Sequence, residues 1–277
     1  MRTTSDTIAT FHRLHAAGTF VMPNPWDVGS ARMLAHLGFP ALATTSAGFA
    51  WSLGRRDNRV PLADVLDHLR AITSAVDVPV NADFEGGFAI EPDGVAANVA
   101  AACATGGAGL SIEDSTGDAA NPLFAFELAV DRVRAARRAI DESGTGVVLT
   151  GRSEGFIAGR PDMAETIRRL RAYADAGADC LYAPGIRSSA DIAAVVAAVA
   201  PRPVNVLVGG NFTTVAELSA MGVRRISVGG ALARTAWAGF VAVAKEIAEQ
   251  GTFAGLAHGV RSTEIEASFA ADAEPIA

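Results

Sequence analysis

Pro79-Val80-Asn81-Ala82-Asp83-Phe84-Glu85-Gly86-Gly87 is a short apolar run that ends in two carboxylates and a glycine pair. Side chains of a strand alternate between faces, so Asp83 and Glu85, two apart, are expected to project together from the strand's C-terminal end. Two carboxylates on one face repel each other. The repulsion is relieved by a hard divalent cation, by an arginine or by a shared proton, each of which marks a working site. The plain alternative is a strand end with two acids in water.

The same unit recurs along the chain. F-V-M-P-N-P (20–25), A-L-A-T-T-S (41–46), P-V-N-A-D-F (79–84), G-L-S-I-E-D (109–114), G-V-V-L-T-G-R (146–152), C-L-Y-A-P-G (180–185), P-V-N-V-L-V-G (203–209) and R-I-S-V-G-G (225–230) are apolar runs, and Ala-rich amphipathic helical patterns follow them. Eight strands alternating with helices imply right-handed crossovers and an all-parallel sheet. Eight such units close into a (β/α)8 TIM-type barrel, with a doubly wound open sheet as the alternative. Asn24-Pro25 and Pro61 are breakers that precede helical periodicity, and Asp162, Ser189 and Thr214 are placed as helix caps. Gly106–Gly109 and Ala176–Ala178 fit tight helix-to-strand returns. No interdomain linker interrupts the pattern, so residues 1–277 read as a single barrel domain, with the barrel at about 18–250 and a C-terminal extension at 251–277. Residues 231–250 read as one helix, broken by Gly251 and Gly255, with a short helical pattern around Glu264 to Phe269.

Composition narrows the function. The 277 residues are 50% hydrophobic and 19% charged, which suits a folded α/β protein and not a disordered one. The net charge is -7 and no basic run is present, so no nucleic-acid partner is expected. Met1 to Thr10 lacks the apolar core of a signal peptide, and no apolar stretch is long enough to span a bilayer. A cytoplasmic protein with no membrane partner is the expectation. Cys103 and Cys180 have neither metal-ligand nor C-x-x-C spacing and read as buried free thiols.

In such a barrel the working groups sit at the C-terminal ends of the strands. Those ends carry Thr44, Thr45 and Ser46, then Ala47-Gly48; Asp83 and Glu85; Glu113 and Asp114; Arg152 and Glu154; and Asn205 within the seventh run. The loop after the second run adds Asp57, in S-L-G-R-R-D-N. Several acids with one arginine suit a divalent metal and a small anionic substrate. Each acid has a plainer role as a helix cap, favourable by about 0.3–1 kcal/mol, and Asp114 and Asp118 suit that role. Convergence of Asp83, Glu85 and Glu113 on one rim favours a site. Arg152 suits bidentate contact with a substrate carboxylate, or neutralises Glu85 or Glu113. Lys245 is the only lysine and lies in the last long helix, which disfavours Schiff-base and pyridoxal-phosphate chemistry. A metal with an arginine remains as the electrophilic device, able to stabilise an enolate next to a 2-oxo group.

N-P-W-D-V-G-S-A-R, T-T-S-A-G with S-L-G-R-R-D, V-N-A-D-F-E-G-G-F, S-I-E-D-S and G-R-S-E, in that order from about Phe20 to Gln250, resemble the isocitrate lyase and phosphoenolpyruvate mutase superfamily. The resemblance implies an α/β barrel that depends on Mg2+, with Mn2+ as an alternative ion, and that makes or breaks C–C or P–C bonds beside a 2-oxo acid. It implies a homotetramer, a dimer of dimers in which a late helix is swapped, so the 251–277 extension is expected on a neighbouring subunit. By position it makes Asp83 the metal-binding aspartate and Glu85 and Glu113 the acids of the metal site that hold metal-bound water. Asp57 falls near the reacting carbon, Arg152 becomes the substrate arginine, and Thr45, Ser46, Ala47 and Gly48 form the loop that holds a substrate carboxylate.

The departures are as informative. Lyases of the superfamily carry K-[KR]-C-G-H after the fourth strand, whereas Ser115 to Glu127 here has no Cys, Lys or His. The phosphonate enzymes use a lysine and an asparagine in that region; Asn121 is present and the lysine is not. In the sixth strand a glutamate of the lyases is replaced within L-Y-A-P-G, at Ala183 or Pro184. The expectation is a Mg2+-dependent lyase that cleaves a C–C bond in, or decarboxylates, a small 2-oxo or 2-hydroxy carboxylate, isocitrate or methylisocitrate lyase-like or oxaloacetate decarboxylase-like. Glu113 is grouped with Asp57 and Arg152 as catalytic, and Asp83 and Asn205 with the substrate-binding residues. The alternatives are P–C bond chemistry on a phosphonate, a non-catalytic 2-oxo acid binder, and a phosphate-binding barrel suggested by Gly209-Gly210 and Gly229-Gly230.

Overall fold

In the computed structural model, which describes residues 3–269, all eight runs are strands: β1 (Phe20–Met22), β2 (Leu42–Ala43), β3 (Val80–Asp83), β4 (Gly109–Glu113), β5 (Val148–Arg152), β6 (Cys180–Tyr182), β7 (Val204–Leu207) and β8 (Arg225–Ser227). The sheet order is β1-β8-β7-β6-β5-β4-β3-β2 and every pairing is parallel. The ends of that order meet, because the Ala43 amide donates to Pro23 O at 3.1 Å and Asn24 Nδ2 donates to Thr44 O at 2.9 Å. The result is a nearly closed (β/α)8 barrel, with the open sheet excluded.

The helices are α1 (Thr4–Ala16), α2 (Val28–His36), α3 (Ser46–Ser52), α4 (Leu62–Ala75), α5 (Pro92–Cys103), α6 (Phe126–Ser143), α7 (Met163–Asp175), α8 (Ser189–Val199), α9 (Val215–Ala220), α10 (Ala231–Gln250) and α11 (Ser262–Ala267). Local chemistry starts them where polar side chains can accept first-turn amides. Asp162 accepts from Glu165 N at 3.0 Å, and Thr214 forms a capping box with Glu217. The cap of α8 is Ser188, one residue before the expected Ser189, because it is the Ser188 hydroxyl that accepts from Asp191 N.

Ahead of β1, α1 plugs the barrel floor with Phe11, which is fully buried and packs edge-on against Phe20 at 6.2 Å. A Cβ at Gly109 would fall 2.6 Å from the Phe11 ring, so the residue that opens β4 has to be glycine for this plug to seat. Cys103 and Cys180 are both buried and free.

The helix-cap role expected for Asp114 and Asp118 is not what they do. The N-cap of α6 is Ala125, with no side-chain bond. Asp118 only turns its own loop, accepting from Ala120 N at 2.9 Å. Asp114 is 2% exposed and accepts from Glu154 N at 2.7 Å, Tyr173 Oη at 2.6 Å and Arg169 Nη1 at 3.1 Å. It ties β4 to β5 and to α7 beneath the rim.

Beyond α10, a 3-10 turn at Ala254–His258 is held by Glu246, which accepts from Ala254 N at 2.7 Å and Gly255 N at 2.8 Å. The last part of the expected exchanged extension, 270–277, lies outside the described residues. Among the described residues no helix is long and apolar enough to cross a membrane.

Removing one partner of a buried, hydrogen-bonded ion pair leaves the other charge uncompensated, at a cost of about 3–5 kcal/mol. Asp114→Ala is therefore expected to lower unfolding stability by that amount, read from urea denaturation. A loss below about 1 kcal/mol would show that Asp114 is not the tie described.

Candidate functional site

Register brings the site together. Glu113 is the partner of Arg152 in the β4–β5 ladder, Arg152 that of Tyr182 in the β5–β6 ladder, and Asp83 that of Ser111 in the β3–β4 ladder. Adjacent strands lie about 4.8 Å apart, so Glu113, Arg152 and Tyr182 stand side by side at the C-terminal rim, with Asp83 two positions back in the register and reached by the Arg152 side chain. Arg152 Nη1 lies 3.1 Å from Asp83 Oδ1 and 3.2 Å from Glu113 Oε2, its Nε donates to Glu154 Oε1, and its guanidinium is 5.1 Å from the Tyr182 ring.

Glu85 is near Asp83, but not for the expected reason. β3 ends at Asp83, and Glu85 has φ of 46°, a left-handed conformation uncommon for a non-glycine residue. A turn, not strand alternation, turns Glu85 back to the rim. The Glu113 amide fixes that turn by donating to Glu85 O at 3.1 Å. Arg132, 1% exposed, fixes it from below by donating to the carbonyls of Gly86, Ala89 and Ile90, with its guanidinium 3.9 Å from the Phe124 ring centre.

Burial dominates the titration of these groups. It raises Glu85 to about 8, with Asp83 and Asp57 adding to the shift. Burial also holds Glu113 well above the usual carboxylate range, against the pull of Arg152, and raises Glu154. Asp57 stands on the loop before α4, at the solvent-facing edge of the rim. Partial loss of hydration raises its pKa, opposed by a hydrogen bond from Ser46 and reinforced by the charge of Asp83. The Tyr182 phenol is raised by burial to about 12.

Thr45 caps α3, accepting from Gly48 N at 3.3 Å, and Ser46 N donates to Asp83 Oδ2 at 3.0 Å. Thr45, Ser46 and Ala47 line a cavity of about 270 Å3 in the barrel mouth together with Asp57, Asp83, Arg152 and Asn205. Gly48 is not part of that lining. A Cβ there would meet Trp26 at 2.9 Å and Thr45 at 2.7 Å, so Gly48 is needed for packing behind the loop. Glu85 and Glu113 face a second cavity of about 480 Å3 beneath the loops that follow β3 and β4, and Asp57 touches both.

The structure thus brings Asp57, Asp83, Glu85, Glu113 and Arg152 into one electrostatic cluster. It places Asn205 across the mouth, with Nδ2 on Ser227 Oγ at 2.9 Å and Oδ1 accepting from Arg225 Nε at 3.0 Å. Sequence reasoning missed Tyr182, Arg132 and Arg225. Tyr182 stood next to the substituted sixth-strand position, while the two arginines gave no signal, since nothing local distinguishes a buried arginine from a surface one.

The donor set can be tested against a divalent cation. Among the described residues no three His, Cys, Asp or Glu side chains form a ready cation cage. Asp83, Glu113 and Glu154 turn onto Arg152 instead. Yet five acids face one arginine, an excess of negative charge in itself, and burial with added repulsion from neighbouring acids pushes several of them toward the protonated form. All the donors are hard oxygens. In chemistry the set fits a hard dication, held by Asp83, Glu85 and Glu113 and sharing those acids with Arg152.

Residues 11–248 match the family described as phosphoenolpyruvate phosphomutase. A Burkholderia cenocepacia crystal structure described as a lyase/mutase superposes with a TM-score of 0.94 at 45% identity, over 97% of this chain and 98% of that one. Oxaloacetate acetylhydrolase, in complex with its product oxalate, superposes with a TM-score of 0.86 at 28% identity, over 99% and 97%. Oxaloacetate decarboxylase of Bradyrhizobium diazoefficiens is 32% identical over 184 residues, covering 62% of this chain and 61% of the relative.

Arg152→Met would leave Asp83, Glu113 and Glu154 without their counter-charge. A carboxyl whose folded pKa is raised binds more protons folded than unfolded, so its destabilising effect grows as pH rises. The variant is expected to lose about 3–5 kcal/mol, more at pH 8 than at pH 5, in urea denaturation of metal-free protein. An equal loss at both values would contradict the charge account.

Proposed function

Because the chain belongs to the phosphoenolpyruvate phosphomutase family, we propose that it is a Mg2+-dependent carbon–carbon lyase. It would cleave or decarboxylate a small 2-oxo or 2-hydroxy carboxylate through an enolate. The observation that carries the reading is the crowding of five oxygen acids around a single arginine at the barrel mouth, beside a cavity sized for a small acid. Relatives named oxaloacetate decarboxylase and 2-methylisocitrate lyase support the substrate class, as does the 2,3-dimethylmalate lyase fold.

Bound at Asp83, Glu85 and Glu113, the cation would supply positive charge toward the substrate's 2-oxo group. The chain's residues do the rest. Arg152 presents a planar fork to a carboxylate, and the first turn of α3, at Ser46 and Ala47, offers the positive end of a helix to the same anion. When the bond from the carbon beside the 2-oxo group to its leaving group breaks, the leaving group departs as CO2 or a carbonyl fragment. The electron pair is delocalised onto the 2-oxo oxygen as an enolate, and the carbon beside the 2-oxo group then needs a proton. With Glu113 engaged by the cation, Asp57, whose pKa is raised, is the acid poised to hold that proton. Ser115–Glu127 contains no Cys, Lys or His for the task, and Lys245 is exposed on α10.

The reading extends to assembly. Only Ala233 of α10 is buried, while Trp237 and Phe240 are 42% and 63% exposed, so a homo-oligomer that covers this helix fits. We place the chain in the cytoplasm as a dimer of helix-swapped dimers, with 1–277 as one barrel unit. The family's name keeps a P–C reading in view, and phosphate release from phosphonopyruvate in place of C–C cleavage would move the assignment there.

Asp83→Ala is expected to lower Mg2+-dependent turnover of a 2-oxo or 2-hydroxy acid panel by about a hundredfold or more and to weaken oxalate binding; unchanged turnover removes the proposal. Mg2+ must also displace the proton that Glu85 holds below about 8. Titration calorimetry is therefore expected to show proton release at pH 7 and an affinity that rises up to pH 8 and then levels. A pH-independent affinity would rule out Glu85 as a ligand.

A further inference from the structure

The floor of the mouth holds a cation with no counter-charge. Arg225, in β8, is 2% exposed and lines the mouth cavity. Its partners come from β7, β5 and α1, and all are neutral. Nε donates to Asn205 Oδ1 at 3.0 Å, Nη2 donates to Thr150 Oγ1 at 3.0 Å, and Nη1 lies 3.4 Å from His15 Nε2. His15 Nδ1 lies 2.8 Å from Phe11 O and so carries the ring proton, while burial and Arg225 hold the imidazole pKa down at about 3 and leave Nε2 an acceptor. Among the described residues no carboxylate stands within ion-pair distance of Arg225, whereas Arg152 and Arg169 each meet acids.

A buried charge without an opposite partner is expensive, and a neutral side chain would fill the same floor at lower cost. What an arginine does there that a neutral side chain does not is fix an amide. A guanidinium carries five donors and no acceptor, so the atom of Asn205 that faces Nε has to be the carbonyl oxygen. Glutamine or methionine at the same place would permit the reversed amide. Asn205 is the register partner of Arg225, and its Nδ2 donates to Ser227 Oγ at 2.9 Å, two residues further along β8 toward the end where the mouth opens. An amide nitrogen has two protons. Ser227 accepts one, and the other remains for the cavity that Asn205 lines.

We propose that Arg225 is a positioning residue: its donors hold the Asn205 amide with the nitrogen toward the mouth, as a hydrogen-bond donor to an oxygen of the bound carboxylate. The identity of that carboxylate rests on the metal-dependent reading above, and the orientation of Asn205 does not.

Two measurements separate these parts. In urea denaturation of the metal-free protein, Asn205→Asp is expected to raise the midpoint, because the new carboxylate gives Arg225 its missing partner. In the Arg225→Met background the same change is expected to lower it, because the carboxylate is then buried alone. In titrations of oxalate into the Mg2+-loaded protein, Arg225→Met is expected to weaken binding by about fivefold or more and Asn205→Asp by about tenfold or more. Arg225→Lys keeps a donor with no acceptor and is expected to stay within about threefold, although it gives up contacts of the guanidinium and lowers the urea midpoint. Binding that follows the urea midpoint through both substitutions of Arg225 would mark a merely structural tie and overturns the proposal. So does a midpoint that Asn205→Asp lowers in both backgrounds, or oxalate binding unchanged in Arg225→Met. Should Arg225→Met not fold, Asn205→Asp in the unaltered background and Arg225→Lys decide alone. Failure of the unaltered protein to bind oxalate, with the midpoint still raised by Asn205→Asp, instead defeats the metal-dependent reading and leaves the Asn205 orientation in place.

Discussion

The contact of Arg152 with Asp83, Glu113 and Glu154 is the constraint on which the site depends. One guanidinium cannot neutralise the acids packed around it, and burial raises the cost of every charge left over. Burial raises Glu85, Glu113 and Glu154, and the neighbouring acids add to the rise. A dication bound here would exchange with the protons that the buried acids hold. The same feature makes the site expensive to hold together without one.

Holding it together falls to a layer of ties just below. Asp114 pins Glu154 through its amide and draws Arg169 and Tyr173 from α7 into the rim. Arg132 clasps three carbonyls of the turn that gives Glu85 its left-handed backbone. That conformation is unfavourable in isolation and persists because the surrounding bonds over-determine it. The strands supply register, and these ties set the final direction of each acid.

The sequence made the strand ladder legible, because eight apolar runs with polar ends leave few closed arrangements and the register follows from the pleat. It also showed Asp83, Glu113 and Arg152 at one rim, since each ends a run. Two things escaped it. The period-two rule assumed that β3 continues through Glu85, whereas the chain turns at Phe84, and no local feature of D-F-E-G-G separates those cases except its glycines. Arg132 and Arg225 escaped for a different reason. Whether an arginine on a helix or strand is buried is decided by neighbours far off in sequence, such as Asn205 and Thr150 around Arg225. Asp114 was misread for the same cause, a carboxylate that looked like a cap and is a buried tie.

The residues around the mouth fit one physical picture. The loop after β4, Ser115–Glu127, contains no lysine, cysteine or histidine to bring positive charge to the acidic side, and leaves Arg152 the cation in contact with those acids. On the far side the mouth is lined by Asn205, Ser227, Gly229, Gly230 and Arg234, with no acid among them. A substrate drawn into such a field must present an electron-rich oxygen to the acidic side only if a cation stands between them, since otherwise like charges meet. A dication bound there would make itself and the acids parts of one device. The acids stand on one wall of the mouth and the neutral and basic groups on the other, so the field across the cavity has a direction before any ligand enters.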